Sequence, residues 1–146
     1  MKIAIASDHG GFEYKSALIP FIEKLGHEVM DLGCLNDSAV DYSDFGLAGA
    51  RAVANGECDR GILICGTGIG MSITANKVRG IRCALCTDPL MARLTREHND
   101  ANMLALGGRI IGIELAKEIV SVWLKTPFSG EERHSRRIRK ITDYEK

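Results

Sequence analysis

The sequence predicts an α/β fold: a Rossmann-like three-layer αβα sandwich with a five-stranded parallel sheet and a C-terminal helical arm. The chain has 146 residues, about the size of one compact domain. Five short apolar runs alternate with segments whose apolar residues recur at helical spacing. Successive strand–helix units favour a parallel sheet with right-handed crossovers and helices on both faces. We expect residues 1–146 to form a single domain.

The predicted strands are short apolar runs, and the clearest is GILIC at residues 61–65, which the glycine-rich GTGIG interrupts. Pro20 is expected to kink the first helix, and Gly56 suits the C-terminal cap of the second. The five strands are predicted at residues 1–7, 28–32, 61–65, 81–86 and 102–106. The helices between and after them are predicted at residues 12–25, 43–55, 71–77, 89–98 and 113–125.

Composition excludes several classes of function. Nineteen Lys and Arg balance nineteen Asp and Glu, which argues against a nucleic-acid or anionic-membrane surface as the main role. No apolar run reaches the roughly 18 residues of a membrane helix, and the start of the chain has no signal-peptide core. Five cysteines are an odd number, which favours free thiols in a reducing compartment. We expect a cytoplasmic protein.

The region from about residue 128 to 146 differs from the rest because it has few apolar residues and many charges. It is predicted to be either a frayed tail or an arm that docks on a partner subunit. Arg133, Arg136, Arg137 and Lys140 recur at helical spacing. This cationic stripe suits a phosphate clamp, although charge runs are usually solvated helix faces.

The carboxyl ends of the strands are where an open parallel sheet binds its ligand. The first strand ends in Asp8 and His9 rather than in a dinucleotide fingerprint. Taken separately, Asp8 suits a helix N-cap and His9 a solvated turn. Their shared position at a strand end favours a functional role.

Cys65 ends the third predicted strand and precedes three glycines, Gly66, Gly68 and Gly70. Glycines let the backbone turn tightly and present N–H groups at a helix start, which suits an anionic oxygen. The same N–H groups favour a thiolate, so Cys65 could act as a base or nucleophile. The alternative is that Cys65 is only the last apolar residue of a buried strand.

No metal site is predicted, because the histidines are scattered along the chain. Cys83 and Cys86 form a C-x-x-C, but on a strand this spacing points the two side chains to opposite faces. His98 and Asn99 lie at the end of the fourth predicted helix, where a histidine most often compensates the helix dipole at the surface.

Several segments together resemble a known family. IASDHGG at the first strand end, DYSDFG around Tyr42, GILICGTGIGMSITANK, TREHNDANMLALGGR and the late RHSRR are similar to motifs of the ribose-5-phosphate isomerase B and galactose-6-phosphate isomerase subunit family. The resemblance covers nearly the whole chain.

The resemblance implies a cofactor-free aldose–ketose isomerase that interconverts ribose 5-phosphate and ribulose 5-phosphate through an enediolate. It implies a homodimer with shared active sites, and it leaves open whether two dimers pair into a tetramer. Cys65 would be the base, Thr67 would hydrogen-bond near the reacting centre, and His98 would help to open the sugar ring. The amides of Gly66, Gly68, Ile69, Gly70, Met71 and Ser72 would hold the enediolate oxygen. Asp8, Asn99 and Tyr42 would contact the sugar, and His9, Arg109, Arg133 and Arg137 would hold the phosphate.

Two alternatives stay open at this point. A hexose 6-phosphate isomerase, acting on allose or galactose 6-phosphate, differs by one substrate carbon, which pocket residues read from sequence do not exclude. A nucleotide-binding regulatory module is the alternative outside the enzymes, because the same sheet hosts many ligands. It would tolerate loss of the Cys65 thiol, whereas the isomerase would not.

Overall fold

The computed structural model describes residues 1–145 and contains the five predicted strands and the helices that connect them. A single 3-10 turn, His9–Gly11, precedes the first α-helix. The strands are β1 (Lys2–Ser7), β2 (Glu28–Asp31), β3 (Arg60–Cys65), β4 (Cys83–Leu85) and β5 (Met103–Gly107). The helices are α1 (Phe12–Lys24), α2 (Tyr42–Ala54), α3 (Ile69–Ala75), α4 (Pro89–Asn99), α5 (Ile113–Lys125) and α6 (Glu132–Tyr144).

All strand pairs are parallel, and the sheet order is β2-β1-β3-β5-β4. The central strand β3 pairs with β1 on one side, with Ser7 opposite Ile64, and with β5 on the other, with Cys65 opposite Gly107. The carboxyl ends of these three strands therefore lie side by side.

Two apolar clusters cover the two faces of the sheet, which confirms the predicted three layers. Ile62 and Ile64 of β3 pack in one cluster with residues of α1, α4 and α5. Leu63 and Cys65, which alternate with them, pack in the other with residues of α2 and α3. The alternation follows from the two-residue period of a strand.

Helix α1 includes Pro20 and ends at Lys24. Two elements, α3 and β4, differ from their predicted bounds by more than one residue. Helix α3 begins at Ile69, directly after Gly68 in the left-handed region (φ 79°), and not at Met71. Strand β4 is half its predicted length because it is an edge strand: it pairs only with β5, and the side-chain amide of Asn76 bonds both backbone groups of Cys83 at 2.8–2.9 Å. Gly56 follows α2 at φ 77°, as its predicted capping role requires.

The C-terminal arm forms helix α6, which packs against α4 of its own chain. His134 is its one buried residue among those described. Two hydrogen bonds fasten the arm at its ends, from Ser129 N–H to the Glu97 carbonyl (3.2 Å) and from Gly80 N–H to the Glu145 carboxylate (3.1 Å). The arm is thus an ordered helix, and its docking on a partner subunit stays a prediction. Within residues 1–145, no helix combines the length and the apolar character that a membrane span requires.

Candidate active site

Backbone hydrogen bonds join the carboxyl ends of β1, β3 and β5. Asp8 N–H donates to the Ile64 carbonyl (3.2 Å), Gly108 N–H to the Cys65 carbonyl (2.8 Å) and Arg109 N–H to the Gly66 carbonyl (2.9 Å). The residues that follow the three strands are therefore held in fixed relation to one another. This is the edge at which the sequence predicts the ligand site.

Cys65 lies at this edge, 4% exposed, with its sulfur 3.0 Å from the N–H of Gly68. An N–H donated to sulfur stabilises the thiolate more than the neutral thiol. Gly68 has a left-handed backbone conformation (φ 79°), which a residue with a side chain rarely adopts. This conformation allows the Gly68 N–H to approach the Cys65 sulfur. The Thr67 hydroxyl accepts the Ile69 N–H (3.2 Å). The geometry suits a base.

The first turn of α3 supplies further donors beside the sulfur. The N–H groups of Gly70 and Met71 have no acceptor among residues 1–145, as expected for a helix start. Ser72 differs, because its N–H donates to the Gly68 carbonyl (3.0 Å). The Gly66 N–H also has no acceptor among the described residues. Gly66, Gly70 and Met71 therefore carry amides available to an oxyanion, whereas the Ser72 amide is already engaged.

Glycines line the cleft next to Cys65 with bare backbone. A Cβ on Gly10 would lie 3.1 Å from the Gly66 nitrogen, one on Gly108 would lie 2.9 Å from the Gly10 carbonyl oxygen, and one on Gly66 would lie 3.3 Å from a guanidinium nitrogen of Arg109. Side chains at these positions would collide with the neighbouring loop or crowd the arginine. The three loops can approach one another this closely only because the residues at the contacts are glycines, which have no side chain.

Asp8 caps the 3-10 turn, as the first of its two sequence interpretations predicts. Its carboxylate accepts the Gly11 N–H at 3.1 Å, and the residue is 7% exposed. A Cβ on Gly10 would lie 3.3 Å from the same carboxylate oxygen. The cap therefore fixes the acid beside the glycine cleft, and the two interpretations are compatible.

His9 and Arg109 share a cavity of about 250 Å³, together with Gly10, Glu13, Tyr14, Asp37 and Gly108. The Nδ1 atom of His9 accepts the Val40 N–H at 3.2 Å, which leaves Nε2 to carry the proton of the neutral ring. Two cationic or hydrogen-donating side chains thus face one small cavity, next to the Cys65 loop. This pairing suits an anion such as phosphate.

Tyr42, the first residue of α2, borders the same region and is 45% exposed. Its ring lies against Gly70, where an added Cβ would be 2.7 Å from a ring carbon. The structure therefore brings together Asp8, His9, Tyr42, the segment from Cys65 to Ser72, and Arg109. We call this set the thiol half-site.

His98 and Asn99 lie at the opposite edge of the sheet. Both residues end α4. The backbone carbonyl of Asn102, just beyond them, accepts the N–H of Gly61 at the amino end of β3 (3.0 Å). Cys65 lies at the carboxyl end of β3. The four-residue rise between Gly61 and Cys65 corresponds to about 13 Å. One chain therefore does not bring His98 to Cys65.

The arm arginines lie with His98 rather than with Cys65. Arg133 and Arg137 are exposed on α6, whose His134 contacts the His98 ring, and Arg133 pairs with Glu131 at 2.7 Å. The four predicted phosphate contacts are thus split within one chain, with His9 and Arg109 on one side and Arg133 and Arg137 on the other. We call His98, Asn99, Arg133 and Arg137 the imidazole half-site.

The remaining cysteines are not placed for this chemistry. All five are free, and Cys83 and Cys86 pack against opposite apolar clusters, as their spacing predicts. Burial raises the pKa of Cys83 and of Cys86 to about 12, so both stay protonated at neutral pH. Among residues 1–145, no cluster of His, Cys, Asp and Glu side chains is arranged to hold a metal ion.

Comparison with known proteins adds to the geometry. The family model described as Ribose/Galactose Isomerase matches residues 3–141. The chain belongs to this family. It is 47% identical over 144 residues to the ribose-5-phosphate isomerase B of Escherichia coli, covering 99% of this chain and 96% of that protein.

Solved structures agree with the family assignment. The ribose-5-phosphate isomerase B of Clostridium thermocellum superposes with a TM-score of 0.97 at 57% identity, covering 99% of this chain and 97% of that one. The Mycoplasma genitalium structure, with bound ribulose-5-phosphate, has a TM-score of 0.93 at 42% identity, covering 99% and 95%. The resemblance noted in the sequence motifs is confirmed, and the alternative of a nucleotide-binding module is not favoured.

The structure also shows residues near the imidazole half-site to which the sequence assigned no role. Asp100, at φ 44°, pairs with Arg96 (2.8 Å) and Arg82 (3.5 Å), and Arg82 donates to the Asn99 carbonyl (2.8 Å). These contacts fix the end of α4 that carries His98. A larger cavity, about 470 Å³, is lined by Asn99 and the arm residues Ile141, Tyr144 and Glu145 among others. It is remote from Cys65.

Proposed function

We propose that this protein interconverts ribose 5-phosphate and ribulose 5-phosphate, with Cys65 as the base. The observation that carries the proposal is the Cys65 sulfur, which accepts the Gly68 N–H at 3.0 Å beside the cavity that His9 and Arg109 share. Membership of the Ribose/Galactose Isomerase family supports it. So do the relatives, one of which is solved with bound ribulose-5-phosphate.

The proton transfer needs one base and one oxyanion site. The Cys65 thiolate removes the proton from C2 of the open-chain aldose, and the electron pair of that bond forms the enediolate. The N–H groups of Gly70 and Met71 donate to the developing oxyanion, where one preorganised donor contributes about 3–4 kcal/mol. The thiol returns the proton to C1, while the hydroxyl proton on O2 moves to O1. The reaction balances without an oxidant or reductant.

Substrate phosphate occupies the cavity of His9 and Arg109. A phosphate bound there positions the sugar from outside the reacting carbons, so its binding energy contributes to orientation. The guanidinium of Arg109 provides paired donors, and Nε2 of His9 is free to donate because Nδ1 already accepts the Val40 N–H.

Opening of the sugar ring requires the imidazole half-site, which a second copy of the chain supplies. His98 lies at the sheet edge opposite Cys65 within one chain, so the two act on one molecule only across a subunit boundary. Ile69 and Ile73 of α3 are 51% and 57% exposed, an apolar surface beside the thiol half-site that suits subunit contact. We therefore propose a homodimer with two shared sites, located in the cytoplasm.

The test is isomerisation of ribose 5-phosphate in deuterated water by wild type, Cys65→Ala and the control Cys58→Ala, whose buried thiol lies apart from the site. We expect Cys65→Ala to lower kcat by roughly 10²–10⁴-fold with little change in the Kd for the sugar phosphate. Product from wild type should carry deuterium at the transferred position, and galactose 6-phosphate and allose 6-phosphate should turn over more slowly. Full activity of Cys65→Ala would refute the assignment of the base.

A further inference from the structure

One buried histidine outside the proposed machinery contacts a member of it. His134 is 3% exposed, although it lies on α6, a helix whose other side chains are mostly exposed. Its ring centroid is 4.4 Å from that of His98, and the two rings are tilted by 36°. The ring of His134 therefore covers one face of the imidazole that we assign to ring opening.

The other side of His134 is also fixed. Its Nδ1 lies 2.7 Å from the Ser129 hydroxyl oxygen, which also accepts the Glu131 N–H at 3.2 Å. The Ser129 N–H donates to the carbonyl of Glu97, the residue before His98, at 3.2 Å. A closed set of contacts thus runs from the α4 backbone through Ser129 to His134 and back to the His98 ring.

Burial and the neighbouring charges both act on the pKa of His134. Burial lowers the pKa of His134 below its usual value, and the neighbouring His98, Arg133 and Arg137 lower it further, while Glu131 opposes them. Two imidazolium ions at this separation would repel each other. The His134 ring therefore favours its neutral form where it contacts His98.

We propose that His134 is a positioning residue, whose ring backs His98 and fixes the orientation from which His98 donates its proton to the ring oxygen of the sugar. The catalytic part of this proposal, in which His98 donates a proton to the sugar, rests on the proposed function. The structural part, that the two rings are coupled, stands independently of any substrate. An aromatic and uncharged side chain is the feature that the role requires, because offset or tilted ring pairs are favourable and fix relative orientation.

The experiment compares His134→Phe, His134→Gln and His134→Ala with wild type. Phe keeps an uncharged ring and loses the Ser129 bond, Gln keeps a polar group for Ser129 and loses the ring, and Ala loses both. Thr142→Ala, an exposed position on the same helix, is the matched control. The readouts are kcat and KM for ribose 5-phosphate, the pH profile of kcat, and NMR titration of the His98 ring in histidine-labelled protein without substrate.

We expect His134→Ala and His134→Gln to lower kcat by roughly 10–100-fold, the effect of a misplaced catalytic group, with KM within about threefold because phosphate contacts remain. They should also shift the acidic limb of the pH profile and the His98 ring resonances. His134→Phe should keep most of the wild-type kcat, and its His98 ring should titrate as it does in wild type. Thr142→Ala should behave as wild type.

Two results would overturn the proposal. One is a His98 titration that is unchanged in His134→Ala, and the other is rescue by Gln but not by Phe, which would assign the residue to the Ser129 bond alone. Failure of His134→Ala to fold leaves the Phe and Gln pair to decide. Wild type that lacks isomerase activity would refute the proposed function instead, and the substrate-free NMR comparison would still test the ring coupling.

Discussion

Mixed dimers test the split of the site between two chains. Cys65→Ala removes the proposed base and His98→Asn removes the proposed ring-opening acid, so each homodimer should be nearly inactive on ribose 5-phosphate. Within one chain, Cys65 lies at the carboxyl end of β3, whereas His98 ends α4 near the amino ends of the strands. The rise of β3 from Gly61 to Cys65 alone is about 13 Å. A dimer that contains one chain of each kind should therefore hold one intact site, built from Cys65 of one chain and His98 of the other, and one doubly altered site.

The expected recovery follows from counting sites in an isologous dimer. Random pairing of equal amounts yields about one half heterodimers, and one of the two sites in each is intact. The mixture should therefore recover about one quarter of wild-type activity per chain. If instead one chain supplied both residues, every site in every dimer would lack one of them, and recovery would be absent.

The assay uses two affinity tags, so that heterodimers from co-expression are purified by two successive steps and compared with each homodimer. Purified heterodimer should show about half of the wild-type rate per dimer. Co-expression of two chains that both carry Cys65→Ala is the control for contamination by wild type. A heterodimer no more active than the homodimers would refute the shared-site reasoning.

Three further changes have expected outcomes. Arg96→Met removes a buried guanidinium that bonds a carboxylate and two carbonyls. Urea unfolding should therefore show a loss of about 3–5 kcal/mol in the free energy of unfolding. The control Arg93→Met, at an exposed position, should lose about 0.5 kcal/mol or less. Gly68→Ala places a Cβ 2.9 Å from the Leu106 carbonyl carbon at φ 79°, so thermal unfolding should show a loss of roughly 1–3 kcal/mol of stability. Alkylation of the Cys65 thiol should also become slower. Because the pKa of His134 is lower in the folded than in the unfolded state, the contribution of His134 to stability should be constant above about pH 6.5 and decrease below it. Thermal melts taken from pH 5 to 8 should therefore show a smaller slope for His134→Phe than for wild type.

Local patterns predicted the elements because each carries its own signal. The run GILIC could only be buried, and it forms the central strand β3, whose residues alternate between the two cores. The spacing of Cys83 and Cys86 predicted opposite faces, and strand geometry requires that result. The predicted ends of an element were less accurate where contacts with other elements determine them. Strand β4 is short because it lies at the sheet edge and has the Asn76 side chain bonded to its open side.

The thiol half-site was predictable for a related reason. In a parallel sheet every carboxyl end lies at one edge, so Asp8, Cys65 and Arg109 had to be neighbours once β1, β3 and β5 were adjacent. His134 carried only a weak signal, its position beside the arginine stripe. Nothing in its sequence neighbourhood shows that its ring contacts His98, because that contact joins two helices distant along the chain.

The sequence by itself determined the strands and helices in chain order and the family, and it predicted the site residues, because these inferences depend on local periodicity and on motifs. Only the tertiary structure decided that these residues fall into two half-sites at opposite edges of the sheet. The reason is geometric: a helix that returns to the start of the next parallel strand carries its last residues, His98 and Asn99, to the amino edge, whereas Cys65 ends its strand at the carboxyl edge.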